Sequence, residues 1–120
     1  DPQVRADFDA DPLGSTWVSP TSEFARDLLL LYLRVGADWY ARRLSKQLPV
    51  LLMSGDQDPM GNYGEGTYHL ANQLWAAGHR QVHTRVYPGV RHEIHNEPET
   101  RDLVLAELIG FVERYLPPAP

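Results

Sequence analysis

The chain has 120 residues, of which 42% are hydrophobic and 22% charged, a composition typical of a folded globular chain and not of a disordered one. Its net charge of −5, with scattered arginines and Lys46 as the single lysine, argues against a nucleic-acid partner. The absence of cysteine excludes disulfides, thiolate zinc sites and thiol nucleophiles. The longest continuous apolar run, Leu28–Leu33, is too short to span a bilayer, so we expect no transmembrane segment.

The N-terminal part of the chain predicts a loop followed by helix. Residues 1–20 are rich in Asp and Pro, which favours an extended segment with little room for a helix. Residues 21–46 predict a helix in two pieces, with Thr21 or Ser22 as the N-cap and a break near Gly36. The first piece is apolar most of the way round, so we expect it to be buried on more than one side or to lack a partner.

The middle of the chain predicts a strand, a helix and a second strand. Val50–Met53 is a short, continuous apolar run, which is typical of a strand buried on both faces of a parallel sheet. Residues 64–78 predict a helix that ends at Gly78. Val82–Tyr87 alternates apolar and polar side chains and predicts the second strand.

The last predicted element is a helix that opens at Asn96, with Glu99 placed for a capping box. Its predicted buried face consists of Leu105, Leu108, Ile109, Val112 and Leu116. Alternating helices and strands imply an α/β fold with parallel strands joined by right-handed crossovers. Two strands are too few for such a sheet, so the sequence resembles the closing part of a larger one.

Two loops follow the carboxyl ends of the predicted strands, where functional residues of open α/β sheets lie. The first loop carries Asp58 and the second carries His92. Parallel strands bring both loops to one edge, so the side chains can form the acid and base of a catalytic triad. Asp56 is a rival for the acid position. Spacing alone leaves other roles open, because Asp often serves in turns and a loop His is often only solvated.

These residues also resemble a known family. LPVLLMSGDQDP, followed by a helix, a strand and YPGVRHEIHNE, is similar to the final third of an α/β-hydrolase. The closest branch comprises the lysophospholipase and monoacylglycerol-lipase-like serine hydrolases, which are serine aminopeptidase S33-like. The resemblance implies Asp58 as the triad acid and His92 as the triad base, whereas His95 does not match the catalytic position. It covers nearly the whole chain and is strongest from Leu48 to Leu116.

One part of the family pattern is missing from the sequence. No Gly-x-Ser-x-Gly motif surrounds any of the serines, which are Ser15, Ser19, Ser22, Ser45 and Ser54. The family order is Ser, acid, His, so the resemblance places the nucleophile before residue 1, together with the oxyanion-hole loop. The chain also begins with Asp1 and not with Met. We therefore expect a C-terminal fragment of a serine hydrolase, inactive alone, whose partner is the N-terminal part of the same fold.

The expected architecture is the C-terminal portion of an α/β-hydrolase fold, with two parallel strands, flanking helices and an incomplete sheet. Residues 1–47 would form the segment and helices after the cap, and residues 48–120 the C-terminal β-α-β-α part. The resemblance implies a small acyl ester or lysolipid as substrate, no metal or organic cofactor, and a cytoplasmic location or peripheral association with membranes.

Several alternatives remain at this point. His92 and His95 are not spaced as an H-E-x-x-H metal site, and we expect no metal there. Two roles remain open for Glu97: a surface ion pair with Arg91, or a contact that helps to orient His92 without touching the reacting groups. The same acid and base would also serve peptide or thioester substrates. A non-catalytic module that binds through an open sheet edge, or two half-chains that assemble one enzyme, would fit the same elements.

Overall fold

The computed structural model describes residues 2–13, 20–35 and 39–116. The chain divides into two compact units, Asp1–Arg43 and Leu44–Pro120. None of the helices in the described ranges is long and apolar enough to cross a membrane.

The first unit is helical, with α1 at Pro2–Ala10, α2 at Ser22–Val35 and α3 at Trp39–Arg43. The prediction of a loop over residues 1–20 is therefore wrong for α1. Side chains one turn apart stabilise this helix, because Gln3 Nε2 donates to Asp7 Oδ1 at 2.7 Å and Arg5 Nε pairs with Asp9 at 2.8 Å. Pro2 lies in the first turn, where its missing N–H costs nothing.

Helix α2 begins as the sequence predicts. The Thr21 hydroxyl accepts a hydrogen bond from the Phe24 N–H at 3.1 Å, which makes Thr21 the cap. The division into α2 and α3 is also confirmed, although the break predicted at Gly36 lies outside the described residues. The large apolar side chains of α2 are between 47% and 72% exposed, so of the two expectations for this helix the second holds among the described residues: the helix lacks a partner. Helix α2 thus has an apolar surface that is exposed to solvent in the described part of the chain.

The second unit has the predicted order of strands and helices. Its elements are β1 at Val50–Gly55, α4 at Glu65–Ala76, β2 at Val82–Tyr87 and α5 at Arg101–Tyr115. The two strands are parallel neighbours, in a register that pairs Val50 with Val82 and Gly55 with Tyr87. Because the pairing is parallel, the loops after β1 and β2 leave the sheet at the same edge.

A small core lies beneath the loop that follows β2. Tyr87, Val90 and Val104 are buried together, and Met53 and Ile94 pack against them. This cluster joins both strands, the loop and α5. Its position matters because it fixes the base of the loop that carries His92.

The last helix differs from its prediction in where it begins. Turns occupy most of residues 91–100, and α5 begins at Arg101. The Asn96 side chain donates to the Glu93 carboxylate at 2.8 Å, a local contact that competes with capping a helix. The Glu97 carboxylate pairs with Arg91. These contacts stabilise a turn where the sequence pattern predicts a first helical turn.

The face of α5 that the sequence pattern predicts to be buried is exposed in this chain. Val104 is the buried residue of the helix. The predicted face is between 42% and 61% exposed; it consists of Leu105, Leu108, Ile109, Val112 and Leu116. The contacts within the described part of the chain therefore do not explain the apolar periodicity of this helix.

Candidate active site

The carboxylate of Asp58 lies in the turn directly after β1. Its side chain is 7% exposed, and its Oδ1 accepts a hydrogen bond from the Met60 N–H at 2.9 Å. The Gly61 N–H also bonds to this carboxyl group. A Cβ on Gly61 would lie 2.9 Å from Asp58 Oδ2, so glycine is what allows the chain to wrap this closely around the acid.

His92 lies in the loop between β2 and α5 and meets Asp58. The His92 Nδ1 is 3.0 Å from Asp58 Oδ2. Since an ionised carboxylate only accepts hydrogen bonds, Nδ1 carries the proton and Nε2 is the acceptor in the neutral ring. The His92 side chain is 67% exposed, whereas that of Asp58 is nearly buried. The structure thus brings the predicted acid and base together, with the imidazole facing outward.

The surroundings of Asp58 favour its ionised form. Burial acts to raise the pKa of the Asp58 carboxyl, but the hydrogen bonds from His92, Met60 and Gly61 and the charge of His92 outweigh it. The pKa of Asp58 therefore lies below its usual value. An acid that stays ionised can orient the imidazole and stabilise its protonated form.

The loop after β1 is joined to the loop after β2 by its backbone as well. The Asp56 N–H donates to the Tyr87 carbonyl at 3.0 Å, and the Gln57 N–H donates to the Val90 carbonyl at 2.9 Å. The Asp56 side chain, the rival for the acid position, accepts from the Gly89 N–H at 2.7 Å instead of contacting His92. Asp56, which the sequence leaves as a rival for the triad acid, thus links the two loops instead.

A second set of polar contacts holds β2 against α5. The Tyr87 hydroxyl donates to Glu107 at 2.8 Å, and Arg85 Nε pairs with the same carboxylate oxygen at 3.0 Å. The hydrogen bond from Tyr87 lowers the pKa of Glu107, against the effect of burial and with further help from Arg85. Burial, followed by the Glu107 hydrogen bond, raises the pKa of Tyr87. No sequence pattern predicts this cluster, because Glu107 lies on a different element from Arg85 and Tyr87.

Other predicted candidates lie apart from the acid–base contact. The Glu97 side chain is 15% exposed and accepts from both Nε and the backbone N–H of Arg91, at 3.0 and 3.4 Å. It therefore supports the residue next to His92. His95 is exposed. Across the described residues, no group of three or more His, Asp or Glu side chains is placed to hold a metal ion.

Ser54 is the described serine that lies closest to Asp58 in the sequence. The hydroxyl of Ser54, on β1, is 2.7 Å from that of Thr67 on α4, a contact that links the strand to the helix. Ser15 and Ser19 lie outside the described residues. The site can accept, hold and return a proton at His92, and a reaction at an acyl carbon needs a nucleophile from elsewhere.

Comparison with solved structures gives the fold class that the sequence predicts. A lipase in its open form superposes with a TM-score of 0.87 at 32% identity, and a thermostable carboxyl esterase from Bacillus coagulans, solved with glycerol, with a TM-score of 0.83 at 36% identity. Each covers 95% of this chain, which in turn covers 36% of each neighbour. The two parallel strands and their flanking helices are therefore part of an α/β-hydrolase fold.

The sequence comparisons define the family. The family model described as serine aminopeptidase, S33, matches residues 1–99. A monoacylglycerol lipase from Mycolicibacterium smegmatis is 32% identical over 116 residues, which are 97% of this chain and 38% of that protein. The chain belongs to the serine aminopeptidase S33 family of α/β-hydrolases. It spans just over a third of the length of the relatives it matches.

Proposed function

We propose that the chain supplies the acid and the base of a serine hydrolase that cleaves carboxylic esters. Asp58 is the triad acid and His92 the triad base, and the nucleophilic Ser lies outside these 120 residues. The observation that carries this proposal is the 3.0 Å contact between a nearly buried carboxylate and an exposed imidazole. The hydrolase family of the chain and its lipase and esterase relatives support the same reaction.

In the proposed mechanism the Ser hydroxyl attacks the ester carbonyl while Nε2 of His92 accepts its proton. Asp58 stabilises the imidazolium through Nδ1, and His92 then protonates the departing alcohol, which leaves an acyl-enzyme. Water attacks this intermediate with His92 again as the base. The fatty acid departs and the Ser hydroxyl is restored.

The proposed substrates are monoacylglycerols or lysophospholipids. The relative from Mycolicibacterium smegmatis is a monoacylglycerol lipase, which supports a substrate with one acyl chain. The same proposal places the enzyme in the cytoplasm or peripherally at a membrane, where such lipids are found. The segment over residues 1–47 would then belong next to the cap, and residues 48–120 would complete the hydrolase domain.

The proposal is tested on the full-length hydrolase that contains this chain. We expect a serine-directed fluorophosphonate to label it and monoacylglycerol to be hydrolysed. The substitution His92→Ala should lower kcat by about 10⁴-fold or more, and Asp58→Asn by about 10³- to 10⁴-fold, because triad members act as a unit. Rates of release of the fatty acid provide the measurement.

His95→Ala is the matched control, because it removes an exposed histidine three positions from His92. It should retain wild-type labelling and turnover. Near-normal turnover by His92→Ala would refute the role of the base. If His92→Ala is inactive and the wild type cleaves neither monoacylglycerol nor lysophospholipid but another ester, the reaction stands and the proposed substrate class is wrong.

A second candidate function is a non-catalytic module that binds a partner through its sheet. It is favoured by one observation: among the described residues, β1 and β2 pair only with each other, so each presents an open edge. This reading predicts a chain that is monomeric and melts cooperatively by itself. It also predicts no fluorophosphonate labelling of the full-length protein.

A further inference from the structure

The exposed imidazole of His92 receives little support from packing, so its position depends on the backbone of its loop. The side chain is 67% exposed, and its hydrogen bond to Asp58 fixes one ring nitrogen. The other ring nitrogen, Nε2, is the one that exchanges the proton, and its position depends on where the loop places His92. Whatever fixes the loop therefore influences proton transfer.

The segment Gly55–Asp56–Gln57, called here the loop clamp, fixes the opening of that loop. Its backbone reaches Tyr87 and Val90 through the N–H groups of Asp56 and Gln57. Gly55 lies so close to the His92 loop that a Cβ would stand 1.9 Å from the Val90 carbonyl oxygen. The clamp thus holds the loop from one side along its first residues.

The Asp56 carboxylate makes a side-chain hydrogen bond that runs from the clamp to the opening of the loop. Its Oδ1 accepts from the Gly89 N–H at 2.7 Å, and also from the Gln57 side chain at 3.2 Å. Gly89 has a φ of +75°, and no described atom outside Gly89 and its two chain neighbours lies within 4 Å of the position its Cβ would take. Gly89 therefore has no side chain of its own to pack; the buried side chains of Tyr87 and Val90 hold the chain on either side of it, and the hydrogen bond to Asp56 restrains its peptide N–H.

We propose that Asp56 is a positioning residue for the His92 base, acting through the Gly89 N–H. The proposal rests on the proposed function, since it assigns a role within the same reaction. It gives the two aspartates of the Gly55–Pro59 loop separate tasks. Asp58 contacts the imidazole ring, and Asp56 restrains the backbone that carries it.

The proposal predicts a change in kcat without a change in KM. Asp56 contacts the backbone at the opening of the loop, so removing its carboxylate should leave substrate binding unchanged. A base displaced by a fraction of an ångström transfers protons poorly, so Asp56→Ala should lower kcat by about 10- to 100-fold. Asp56→Asn should restore most of this loss, because the amide oxygen can accept the Gly89 N–H in the same place.

The experiment uses the full-length hydrolase with monoacylglycerol as substrate. It compares the wild type with Asp56→Ala, Asp56→Asn and Asp56→Glu, and uses Asp102→Ala as the control. Asp102 is an exposed aspartate in the first turn of α5. The measurements are kcat and KM, together with the proton resonance of His92 Nδ1–H. We expect this resonance to be retained in Asp56→Asn and broadened in Asp56→Ala, since a mobile loop loosens the contact to Asp58.

Asp56→Glu keeps the result decisive if Asp56→Ala does not fold. It retains the charge but moves the carboxylate one methylene group away from the Gly89 N–H, so the same loss of kcat is expected. Wild-type kcat in either Asp56→Ala or Asp56→Glu would overturn the positioning role. Equal losses of kcat in Asp56→Asn and Asp56→Ala would do so too, because they would point to charge and not to the hydrogen bond.

The outcomes separate this inference from the proposed function. If the wild-type protein is not labelled by fluorophosphonate, or if His92→Ala retains turnover, the reaction itself is wrong. If His92→Ala is inactive while Asp56→Ala matches Asp102→Ala, the reaction stands and only the role of Asp56 is wrong.

Discussion

The ionisation of the Asp58 carboxyl group makes the stability of the folded protein depend on pH in the acid range. Its pKa in the folded state lies below the value of 3.8 for a free side chain, despite burial, because of the hydrogen bonds from His92, Met60 and Gly61. A carboxyl group whose pKa is lowered by folding stabilises the native state at pH values above its unfolded pKa. That contribution is lost as the pH falls through the folded pKa.

We therefore expect Asp58→Asn to melt at a lower temperature than the wild type near pH 6. The gap should close as the pH falls below about 4, where the unfolded chain takes up the proton first. Thermal unfolding of the full-length protein between pH 3 and 6 measures this. Asp102→Asn is the control for removal of a surface carboxylate, because the Asp102 side chain is 92% exposed. A constant gap at every pH would contradict the assigned linkage.

Gly55 is predicted to be intolerant of any side chain. Since a Cβ there would lie 1.9 Å from backbone atoms of Val90, Gly55→Ala must push the two loops apart. We expect it to lower the free energy of unfolding by about 1–3 kcal/mol or more and to reduce kcat at the same time. Urea unfolding and turnover of the full-length protein check both effects.

Gly110→Ala is the matched control for this substitution. Gly110 lies within α5 and has open space at its Cβ position, so alanine should raise helix stability by about 1 kcal/mol. Equal effects of the two substitutions would show that close approach of the loops is not what Gly55 provides.

At the scale of single residues, the sequence predicts the contacting pair but not its supports. Asp58 and His92 follow from strand ends that meet at one edge, together with the resemblance to a family. The hydrogen bond from Gly89 to Asp56 could not be predicted, because it joins a side chain to a backbone N–H across two loops. Its formation depends on strand register at a precision that sequence patterns do not give.

At the scale of elements, the junction between β2 and α5 depends on Tyr87. This side chain is 4% exposed and donates to Glu107, whose side chain is 26% exposed. Tyr87→Phe keeps the packing and removes the hydrogen bond. We expect a loss of about 1–3 kcal/mol in the free energy of unfolding, since the acceptor is charged and Arg85 supports it only in part.

Tyr115→Phe is the control for that prediction. Its hydroxyl contacts His83 at 2.8 Å in an exposed position, so its removal should cost less than about 0.5 kcal/mol. Urea unfolding of both variants provides the comparison. A larger effect at Tyr115 than at Tyr87 would mean that the Tyr87–Glu107 contact does not secure the junction.

The elements show where sequence patterns hold and where local contacts override them. The predictions of the strands and α4 are confirmed, because a continuous apolar run marks β1, alternating side chains mark β2, and Gly78 marks the end of α4. Helix α1 was missed because pairs such as Arg5 and Asp9 compensate for a sequence rich in Asp and Pro. The beginning of α5 was placed too early because Asn96 and Glu97 make turn contacts with Glu93 and Arg91.

At the scale of the whole molecule, α2 and α5 each expose an apolar face of the kind that folded proteins normally bury. The chain spans 38% of its monoacylglycerol lipase relative and 36% of the esterase and lipase neighbours. We propose that the remainder of an α/β-hydrolase domain covers these faces. Large exposed apolar patches otherwise lead to association.

We therefore expect the 120-residue chain alone to form oligomers or aggregates, and the full-length hydrolase to unfold cooperatively. Sedimentation and urea unfolding of both samples test this. The double substitution Leu108→Glu with Ile109→Lys should reduce association of the chain alone and destabilise the full-length protein. A monomeric chain that melts cooperatively would instead favour the non-catalytic module.

The parallel register of β1 and β2 also has a chemical consequence. One residue along a strand is about 3.3 Å, so a slip of one position would carry the imidazole beyond hydrogen-bonding range of its carboxylate and reverse the faces of every side chain. Half-buried strand residues such as Val86 and Met53, which packs against the core cluster, resist that slip by packing. The hydrophobic pattern of two short strands thereby sets the separation between proton donor and acceptor, and a substitution within either strand can change reactivity while the reacting groups themselves stay untouched.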